Sequence, residues 1–371
     1  MSQRIDHYAI IGGGMMGQEH MRNIALLPDA QVTAVVEPDP TMAARCRGLA
    51  PTATIMADLD QLFQRDAAVP IDAVVVATPN HLHAAHLRVL LERTTLPVLL
   101  EKPAVVTTEQ ASDVLAAANG RTAPIWIAME YRYMPAINDL IDQAQAGAVG
   151  DIKMVSIREY RFPFLDKVGQ WNRFNQLSGG TMVEKCCHFF DLMRLICGAE
   201  PARVVASGGT AVNHLQERVD GQVPDILDHG YVAVDFHGGR RAALELCMFA
   251  EGMPYQEEIV VLGDAGTLIA RVPGPTRFWQ AATQGPQPEA MVGRYPRDRS
   301  TPEVRHFPLD PALRDAGDHN GATFHQHTRF QAASRGAGPV EVSLYDGVAA
   351  VRMGLTAETA IATGSPVAVP R

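Results

Sequence analysis

Lysine is scarce in this chain of 371 residues. Only four of the 32 basic residues are lysines, namely Lys102, Lys153, Lys167 and Lys185. Because arginine occupies nearly every other basic position, each lysine is a candidate for a role that needs a compact, titratable ammonium group. For Lys153 and Lys167 we favour the simpler interpretation, in which the lysine has no special role.

Cysteines are few and long apolar runs are missing. The five cysteines are scattered without Cys-x-x-Cys spacing, which indicates reduced thiols and argues against a zinc site. The sequence has no run of 18 apolar residues and no basic segment before an apolar stretch at its start. We therefore expect a cytoplasmic protein that is neither exported nor membrane-spanning. The net charge of −9 argues against nucleic acid and anionic membranes as partners.

Length and a change of pattern along the chain predict two domains. A chain of 371 residues is longer than one ordinary hydrophobic core supports. Strand and helix patterns alternate from residue 7 to about 128, which indicates a doubly wound parallel sheet. Beyond residue 133, period-two strands with short links favour a largely antiparallel sheet backed by helices on one face. The predicted domains are residues 1–131 and 132–371.

One segment of the second domain lacks a clear pattern. Residues 283–311 are rich in proline and arginine and show little periodicity. We predict a long loop there, exposed or at a subunit contact. Helices are predicted on either side of this region, over residues 135–146, 186–196, 323–335 and 343–363.

A glycine-rich turn follows the first apolar strand. Gly12, Gly14 and Gly17 fit the pattern G-x-G-x-x-G, and a helical pattern begins at once with Met15 and Met16. In such a turn one glycine bends the chain, one lets a pyrophosphate approach the backbone and one packs helix on strand. The helix N-terminus offers unpaired N–H groups to the phosphates. The turn predicts a dinucleotide site.

An acidic residue ends the second predicted strand, over residues 31–37. Glu37 lies 20 residues beyond Gly17. A carboxylate at this place can bind both ribose hydroxyls of the adenosine half and repels a 2′-phosphate. The sequence therefore predicts NAD as cofactor, with Glu37 in place of the more usual Asp. The alternative is that Glu37 only solubilises a strand end.

Further polar residues follow other strands of the predicted parallel sheet. Ligands of such sheets bind beyond the carboxyl ends of the strands, where the turn Thr78-Pro79-Asn80 and the pair Glu101-Lys102 lie. Three histidines, His81, His83 and His86, open the next helix. Because no acidic residue accompanies them, we interpret them as surface and capping residues and predict no metal site.

A second informative stretch reads GGTMVEKCCHFFD, over residues 179–191. Glu184 and His188 are four residues apart, so on one continuous helix they share a face and can meet. A carboxylate beside an imidazole raises its basicity, which suits proton removal from an alcohol near neutral pH. By spacing alone, an ordinary helix ion pair is the simpler interpretation.

Four motifs in this order and spacing, GGGMMG, TPNHLH, EKP and the GG…E…H..D helix, resemble the Gfo/Idh/MocA family of NAD(P)-dependent sugar and polyol dehydrogenases. The resemblance covers nearly the whole chain. It implies an α/β protein in which an N-terminal Rossmann domain, a doubly wound parallel sheet, precedes an α/β domain with a large, mostly antiparallel open sheet. It also implies a homodimer or homotetramer.

The resemblance assigns roles to individual residues. His188 corresponds to the general base or acid on the reacting hydroxyl, and Lys102 to the lysine that hydrogen-bonds the substrate. Glu184 corresponds to an acid, usually Asp in the family, that orients a ligand hydroxyl or His188. Lys185 and the cysteines after it depart from the commoner pattern. The cofactor-lining residues implied are Thr78, Pro79, Asn80, His83, Glu101 and Lys102.

Aromatic and cationic residues are the candidates for substrate binding. Aromatic faces suit sugar rings, and several arginines suggest an anionic group on the substrate. The alternative is that an arginine-rich chain places arginine everywhere. His319, ahead of a late helix, falls in a region that can approach substrate in the family. The other candidates are Arg132, Tyr133, Arg158, Tyr160, Trp171 and Arg173.

Three functions are compatible with these observations. The main hypothesis is an NAD-dependent dehydrogenase acting on a secondary alcohol of a sugar or sugar derivative. The second is a redox-neutral glycosidase, found among relatives, that oxidises a ring hydroxyl transiently, eliminates the aglycone, adds water and reduces again. It needs a further base, such as Tyr131, Tyr160 or His319, and an anionic glycoside such as a sulfoquinovoside or uronide would suit the arginines. The third, an NAD-sensing or structural protein, is disfavoured because Lys102 and His188 are retained.

Overall fold

Six parallel strands form the first sheet of the protein. The structure is a computed structural model that describes residues 4–65 and 68–370. The strand order is β3-β2-β1-β4-β5-β6, which is a doubly wound arrangement. The strands are β1 Asp6–Ile11, β2 Ala30–Val36, β3 Thr54–Met56, β4 Ala73–Val76, β5 Val98–Glu101 and β6 Ile125–Ala128.

Five helices connect these strands. The central strands β4 and β5 are buried along their whole length, as expected of parallel strands covered on both faces. Side chains of Asp39, Asp58 and Thr107 accept hydrogen bonds from the first turns of α2, α3 and α5 and so fix where those helices begin. The helices are α1 Met15–Ile24, α2 Pro40–Leu49, α3 Leu59–Gln64, α4 His83–Arg93 and α5 Thr108–Ala117.

Nine strands form the second sheet, in the order β14-β13-β12-β11-β7-β10-β9-β8-β15. All neighbours pair antiparallel except β7 and β10, which pair parallel. The strands are β7 Ile152–Tyr160, β8 Pro201–Gly209, β9 His229–Phe236, β10 Arg241–Cys247, β11 Glu257–Gly263, β12 Gly266–Val272, β13 Ala290–Pro296, β14 Glu303–Phe307 and β15 Val367–Ala368. The predicted α/β class with a parallel and a mostly antiparallel sheet is confirmed.

Helices α6, α9 and α13 cover one face of this second sheet. The opposite face carries exposed apolar side chains, among them Met154, Val205, Tyr231 and Leu262. The helices of this part are α6 Pro135–Gln145, α7 Asn175–Ser178, α8 Thr181–Glu184, α9 Cys187–Cys197, α10 Ala281–Gln284, α11 Pro311–Ala316, α12 Ala322–Ser334 and α13 Leu344–Thr363.

Residues 283–311 differ from the predicted long loop. They contain β13 and β14, which extend the second sheet at one edge. Four of the five residues of β14 are exposed, so this edge strand has no apolar face that a sequence pattern could reveal. The short strand β3, at an edge of the first sheet, has a single buried residue and so also lacks an apolar face. The predicted domain limits at residues 1 and 371 lie outside the described residues.

Helix α12 packs against α1 and so joins the two parts of the chain. Glu19 Oε1 lies 2.8 Å from His319 Nδ1 and accepts a hydrogen bond of 2.7 Å from Thr323. The next residue, His20, lies 2.8 Å from His327 through one ring nitrogen and 2.8 Å from Glu101 through the other. These buried contacts fix the end of β5, where Lys102 follows Glu101.

Candidate active site

A cleft of ≈ 1480 Å³ runs along the carboxyl edge of the parallel sheet. It exceeds the range of about 300–1,000 Å³ that is usual for a single small ligand, so it has room for a dinucleotide and a second molecule. Segments of the second part of the chain, including Trp171 and Arg277, line its other wall. Predicted cofactor residues that line the cleft are Gly12, Gly14, Met15, Met16, Glu37, Thr78, Pro79, Asn80, His83, Glu101 and Lys102.

The three glycines of the turn have different surroundings. Gly12 has φ +94°, and a Cβ there would lie 2.6 Å from the oxygen of Ala77. A Cβ on Gly17 would lie 2.0 Å from the oxygen of Gly12, so this glycine permits close packing of α1 on the strand. A Cβ on Gly14 would meet nothing within 4 Å. The turn therefore leaves open space beside the backbone that precedes α1, where a pyrophosphate fits.

Glu37 follows β2 and is held by backbone N–H groups. Its Oε2 accepts a hydrogen bond of 2.6 Å from Gly13 N, and its Oε1 accepts one of 2.7 Å from Asp39 N. A carboxylate has about four acceptor sites, so two remain for ribose hydroxyls. The residues present therefore fit an NAD molecule, with Gly14 at the pyrophosphate and Glu37 at the adenosine ribose.

The turns after β4 and β5 are tied together by His83. Its two ring nitrogens lie 2.7 Å from the oxygen of Pro103 and 2.8 Å from the oxygen of Thr78. Burial lowers the pKa of His83. Asn80 donates hydrogen bonds to the oxygen of Ser178, at 3.1 Å, and to Oε2 of Glu184. The cofactor turn is thus connected directly to the candidate catalytic residues.

Glu184 is a buried carboxylate between two lysines. Lys167 Nζ lies 3.0 Å from Oε1, and Lys102 Nζ lies 4.0 Å from Oε2 while donating a 3.0 Å hydrogen bond to the backbone oxygen of Glu184. Burial alone would raise the pKa of Glu184, but the charges of Lys102 and Lys167 lower it to about 2. Burial alone would lower the pKa of Lys102, but the charge of Glu184 raises this pKa above its usual value. Both groups are therefore charged at neutral pH.

His188 is buried beside Glu130 and Tyr131. Its Nε2 lies 3.5 Å from Oε1 of Glu130, and its ring stacks on that of Tyr131 at 4.2 Å with an interplanar angle of 8°. Among the described residues, Nδ1 has no hydrogen-bond partner. Burial, then the charge of Lys102, holds the pKa of His188 well below 6.5. The imidazole is therefore neutral and able to accept a proton.

Glu184 and His188 have separate partners, unlike the pair that one continuous helix would form. Helix α8 ends at Glu184, and α9 begins at Cys187. Glu184 reaches toward Asn80 and the lysines, whereas His188 faces Glu130. The acid next to the imidazole is Glu130, a residue to which the sequence analysis gives no role.

His319 lies on the other side of Glu130. Its Nε2 is 3.7 Å from Oε1 of Glu130, while its Nδ1 faces Glu19 at 2.8 Å. Burial opposes the charge on His319, but Glu19 raises its pKa to about 9. Burial alone would raise the pKa of Glu19. The charge and hydrogen bond of His319 outweigh burial and lower the pKa of Glu19 to about 2. The two form a buried ion pair at neutral pH.

Lys185 supports the ring of Tyr131 from beneath. Its Nζ lies 2.8 Å from Oε1 of Glu159 and donates a hydrogen bond to the hydroxyl of Tyr131. Glu159 of β7 and Glu257 of β11 lie directly opposite each other on these two antiparallel strands. Burial and the neighbouring Glu159 raise the pKa of Glu257 to about 7. This layer holds Tyr131, and through it His188, in place.

The arginines predicted to contact substrate already have acidic partners. Arg132 forms two hydrogen bonds with Asp191, Arg158 lies 3.6 Å from Glu258, and Arg173 faces both Glu217, at 3.0 Å, and Asp166, at 2.7 Å. None of the three lines the cleft. These arginines therefore offer no unpaired charge to an anionic substrate.

The predicted aromatic residues divide between the cleft and other places. Trp171 lines the cleft, with the ammonium of Lys167 4.4 Å from its ring centre. Tyr133 is buried against Trp126, and the hydroxyl of Tyr160 donates to Glu245 at 2.6 Å on the second sheet. The structure thus brings Trp171 to the site and places Tyr133 and Tyr160 elsewhere.

Lys167 was missed because its role depends on distant residues. It stands 17 positions before Glu184, and short helices and loops rather than one continuous element separate them, so no spacing rule connects the two. The scarcity of lysine was the available signal. Lys153, by contrast, pairs with Asp151 at the surface, at 2.5 Å.

Metal-binding clusters and membrane-spanning helices are both missing from the described part of the chain. No group of three or more His, Cys, Asp or Glu residues there is arranged to hold a metal ion. None of the helices described combines the length and apolar character that a membrane span requires. All five cysteines are unpaired.

Substitutions of Gly17 and Gly14 test two separate roles of the glycine turn. Gly17 allows α1 to pack on the strand, and Gly14 leaves room for the pyrophosphate. Gly17→Ala should lower the stability by about 1–3 kcal/mol or more, because its methyl group overlaps the oxygen of Gly12. Gly14→Ala should leave the unfolding temperature unchanged and weaken NADH binding, because its methyl group enters the open space. Thermal unfolding and NADH fluorescence titration check both. Equal unfolding temperatures for the two variants would contradict this assignment.

Replacement of Glu37 tests the choice of cofactor. Glu37→Ala removes the carboxylate that faces the ribose end of the cleft, so the preference for NADH over NADPH should fall by about tenfold or more. Titration of each variant with both dinucleotides measures the ratio of dissociation constants. Asp39→Ala, next to the same turn, is the matched control. Unaltered discrimination in Glu37→Ala would show that another residue sets the preference.

Two family models, which together cover most of the chain, describe the two domains of one oxidoreductase family. Residues 7–129 match the family model of an oxidoreductase family with an NAD-binding Rossmann fold, and residues 141–369 match the C-terminal alpha/beta domain of that family. Inositol 2-dehydrogenase of Rhizobium meliloti is 26% identical over 283 residues, 75% of this chain and 79% of that protein. The rhizopine catabolism protein MocA of the same species is 30% identical over 203 residues, 54% of this chain and 61% of its own length.

A solved structure shares the whole fold. Levoglucosan dehydrogenase, in complex with NADH and levoglucosan, superposes with a TM-score of 0.79 at 20% identity, covering 99% of this chain and 100% of that one. The predicted family and NAD as cofactor are confirmed by the family model. This chain belongs to the Gfo/Idh/MocA family of oxidoreductases.

Proposed function

We propose that this protein is an NAD-dependent dehydrogenase that oxidises a secondary alcohol of an uncharged sugar or polyol. The observation that carries the proposal is the buried His188 close to the charged Lys102, which itself lines the cofactor cleft. A neutral imidazole can take the hydroxyl proton, and an ammonium stabilises negative charge that develops on the same oxygen.

Each residue of the site has a separate role in the oxidation of the alcohol. Bound NAD supplies the hydride acceptor. His188 accepts the proton of the substrate hydroxyl. Lys102 hydrogen-bonds the substrate oxygen, and its charge also disfavours a second positive charge on His188. Glu184 fixes the position of Lys102 and joins it to the cofactor turn through Asn80.

The pairing of the predicted substrate arginines with acids supports an uncharged substrate. The candidate arginines are bound to acids, and each lysine of the site faces a carboxylate. The indole of Trp171 gives the cleft wall an apolar face that suits a sugar ring. The compounds after which the relatives are named, inositol and levoglucosan, are uncharged too, which supports the same class.

Oxidation of a small panel tests this proposal. Wild-type protein with NAD and myo-inositol, D-xylose or levoglucosan should form NADH in proportion to ketone or lactone product, followed by absorbance and product analysis. His188→Ala should lower the rate by about 10² to 10⁴ and bind NADH as before. His306→Ala, a surface histidine on β14, is the control.

Two outcomes would contradict the dehydrogenase. An undiminished rate in His188→Ala would remove the assigned base. Aglycone release from nitrophenyl glycosides, with bound NAD and no accumulating NADH, would establish the redox-neutral glycosidase instead. The uronide and sulfoquinovoside members of that glycoside set test the anionic substrates.

We propose further that the protein is a cytoplasmic homodimer or homotetramer that associates through the uncovered face of the second sheet. The apolar side chains exposed there, including Tyr231 at 62%, support this, and the five unpaired cysteines suit a reducing compartment. Light scattering should give the mass of two or four chains for the wild type and of a smaller assembly for Tyr231→Asp. The mass of one chain for the wild type would contradict the association.

A further inference from the structure

Lys167 brings a second ammonium group to the wall of the cleft. Its side chain lines the cleft and is 24% exposed, and the side chain of Lys102, which also lines the cleft, is 15% exposed. The carboxylate of Glu184 between them is 4% exposed and does not line the cleft. A ligand in this part of the cleft therefore meets the two lysines and not the carboxylate.

The ammonium group of Lys167 is held from two sides. Its Nζ donates a hydrogen bond of 3.0 Å to Oε1 of Glu184 and lies 4.4 Å from the ring centre of Trp171. An indole face attracts a cation through the electrons of its ring. Trp171 is itself buried, with its ring edge-on to that of His81 at 6.4 Å. The segment between β7 and α7 thus places a charged donor at a defined point of the cleft wall.

Both lysines retain hydrogen-bond donors for a ligand. Lys102 donates one hydrogen bond of 3.0 Å, to the backbone oxygen of Glu184, and its distance of 4.0 Å from Oε2 is too long for another. Lys167 donates one, to Oε1. Since an ammonium group has three N–H donors, each lysine has donors without a partner within residues 4–65 and 68–370.

The surroundings of Lys167 favour a further acceptor. Burial lowers the pKa of Lys167 more than the charge of Glu184 raises it, and the charge of Lys102 lowers it further. The two lysines share the carboxylate of Glu184, so neither has a counter-charge of its own there. A partly buried ammonium group is stabilised by each oxygen that accepts a hydrogen bond from it. The hydroxyl oxygens of a sugar or polyol are neutral acceptors of this kind.

We propose that Lys167 is a substrate-binding residue whose ammonium group donates a hydrogen bond to the hydroxyl on the carbon next to the one that is oxidised. This role rests on the proposed dehydrogenase function and narrows its substrate to a vicinal diol. Lys102 binds the reacting oxygen. Because both ammonium groups lie against one carboxylate, a single small polyol reaches both of them.

Removal of single hydroxyls from the substrate tests this role. The probes are the panel polyol that the wild type oxidises fastest and the analogues that each lack one hydroxyl beside the oxidised carbon. In the wild type, kcat/KM for one analogue should be about 10- to 100-fold lower than for the parent, because a hydrogen bond to a charged group is lost. Lys167→Met keeps a long side chain without the ammonium group. It should lower kcat/KM for the parent by about the same factor and abolish the difference between parent and analogue.

Lys153→Met is the matched control, because Lys153 pairs with Asp151 at the surface and does not line the cleft. It should keep the wild-type rates and the wild-type ratio between parent and analogue. If Lys167 only neutralised Glu184, Lys167→Met would lower the rates of parent and analogue by one common factor. The wild-type ratio in Lys167→Met would therefore overturn the proposal.

A second variant covers a failure of Lys167→Met to fold. Lys167→Arg keeps a positive charge beside Glu184, but a rigid planar fork replaces the three rotatable donors. The ratio of kcat/KM between parent and analogue should be smaller in Lys167→Arg than in the wild type. An equal ratio in the two proteins would overturn the proposal.

Calorimetric titration of the NADH-bound protein separates this role from the proposed function. The ligands are the panel polyols and their singly deoxygenated analogues. The wild type should bind one parent polyol about 10- to 100-fold more tightly than one of its analogues, whereas Lys167→Met should bind both alike. Equal affinities in the wild type would overturn the proposal alone. Binding that depends on Lys167, without oxidation of any polyol, would overturn the proposed function alone.

Discussion

The buried ion pairs of Glu184 are the interaction on which the site depends. One carboxylate faces Lys102 and Lys167 and receives a hydrogen bond from Asn80, so it joins the cofactor turn, the end of β5 and the segment before α7. Removal of one partner from such a group leaves an uncompensated buried charge, at a cost of about 3–5 kcal/mol. The position of Lys102 is therefore set by Glu184.

Lys102 also contributes to the state of His188. Burial first, and then the charge of Lys102, lower the pKa of this imidazole and keep it neutral, which is the state that a base requires. The acid beside it is Glu130, and the two carboxyl groups differ in their ionisation. Glu184 is ionised and holds the lysines, whereas burial raises the pKa of Glu130 to about 7.

Sequence patterns predicted the parts of the structure that local interactions determine. The glycine turn, the parallel strands and the end of β2 at Glu37 each follow from a few neighbouring residues, and the structure has them where expected. The edge strands β13 and β14 were missed, because an exposed strand has no apolar periodicity. The contact expected between Glu184 and His188 required one continuous helix. The chain breaks between α8 and α9 instead, and the partners of both residues come from distant segments.

The most direct test of this account is a crystal structure of the protein with NADH and a polyol that it oxidises. The measured quantities are the distances from the reacting oxygen to the nearer ring nitrogen of His188 and to Nζ of Lys102. We expect both atoms within hydrogen-bond distance of that one oxygen, about 2.6–3.2 Å. A polyol whose reacting carbon lies over the nicotinamide with its oxygen bound to other residues would contradict the account.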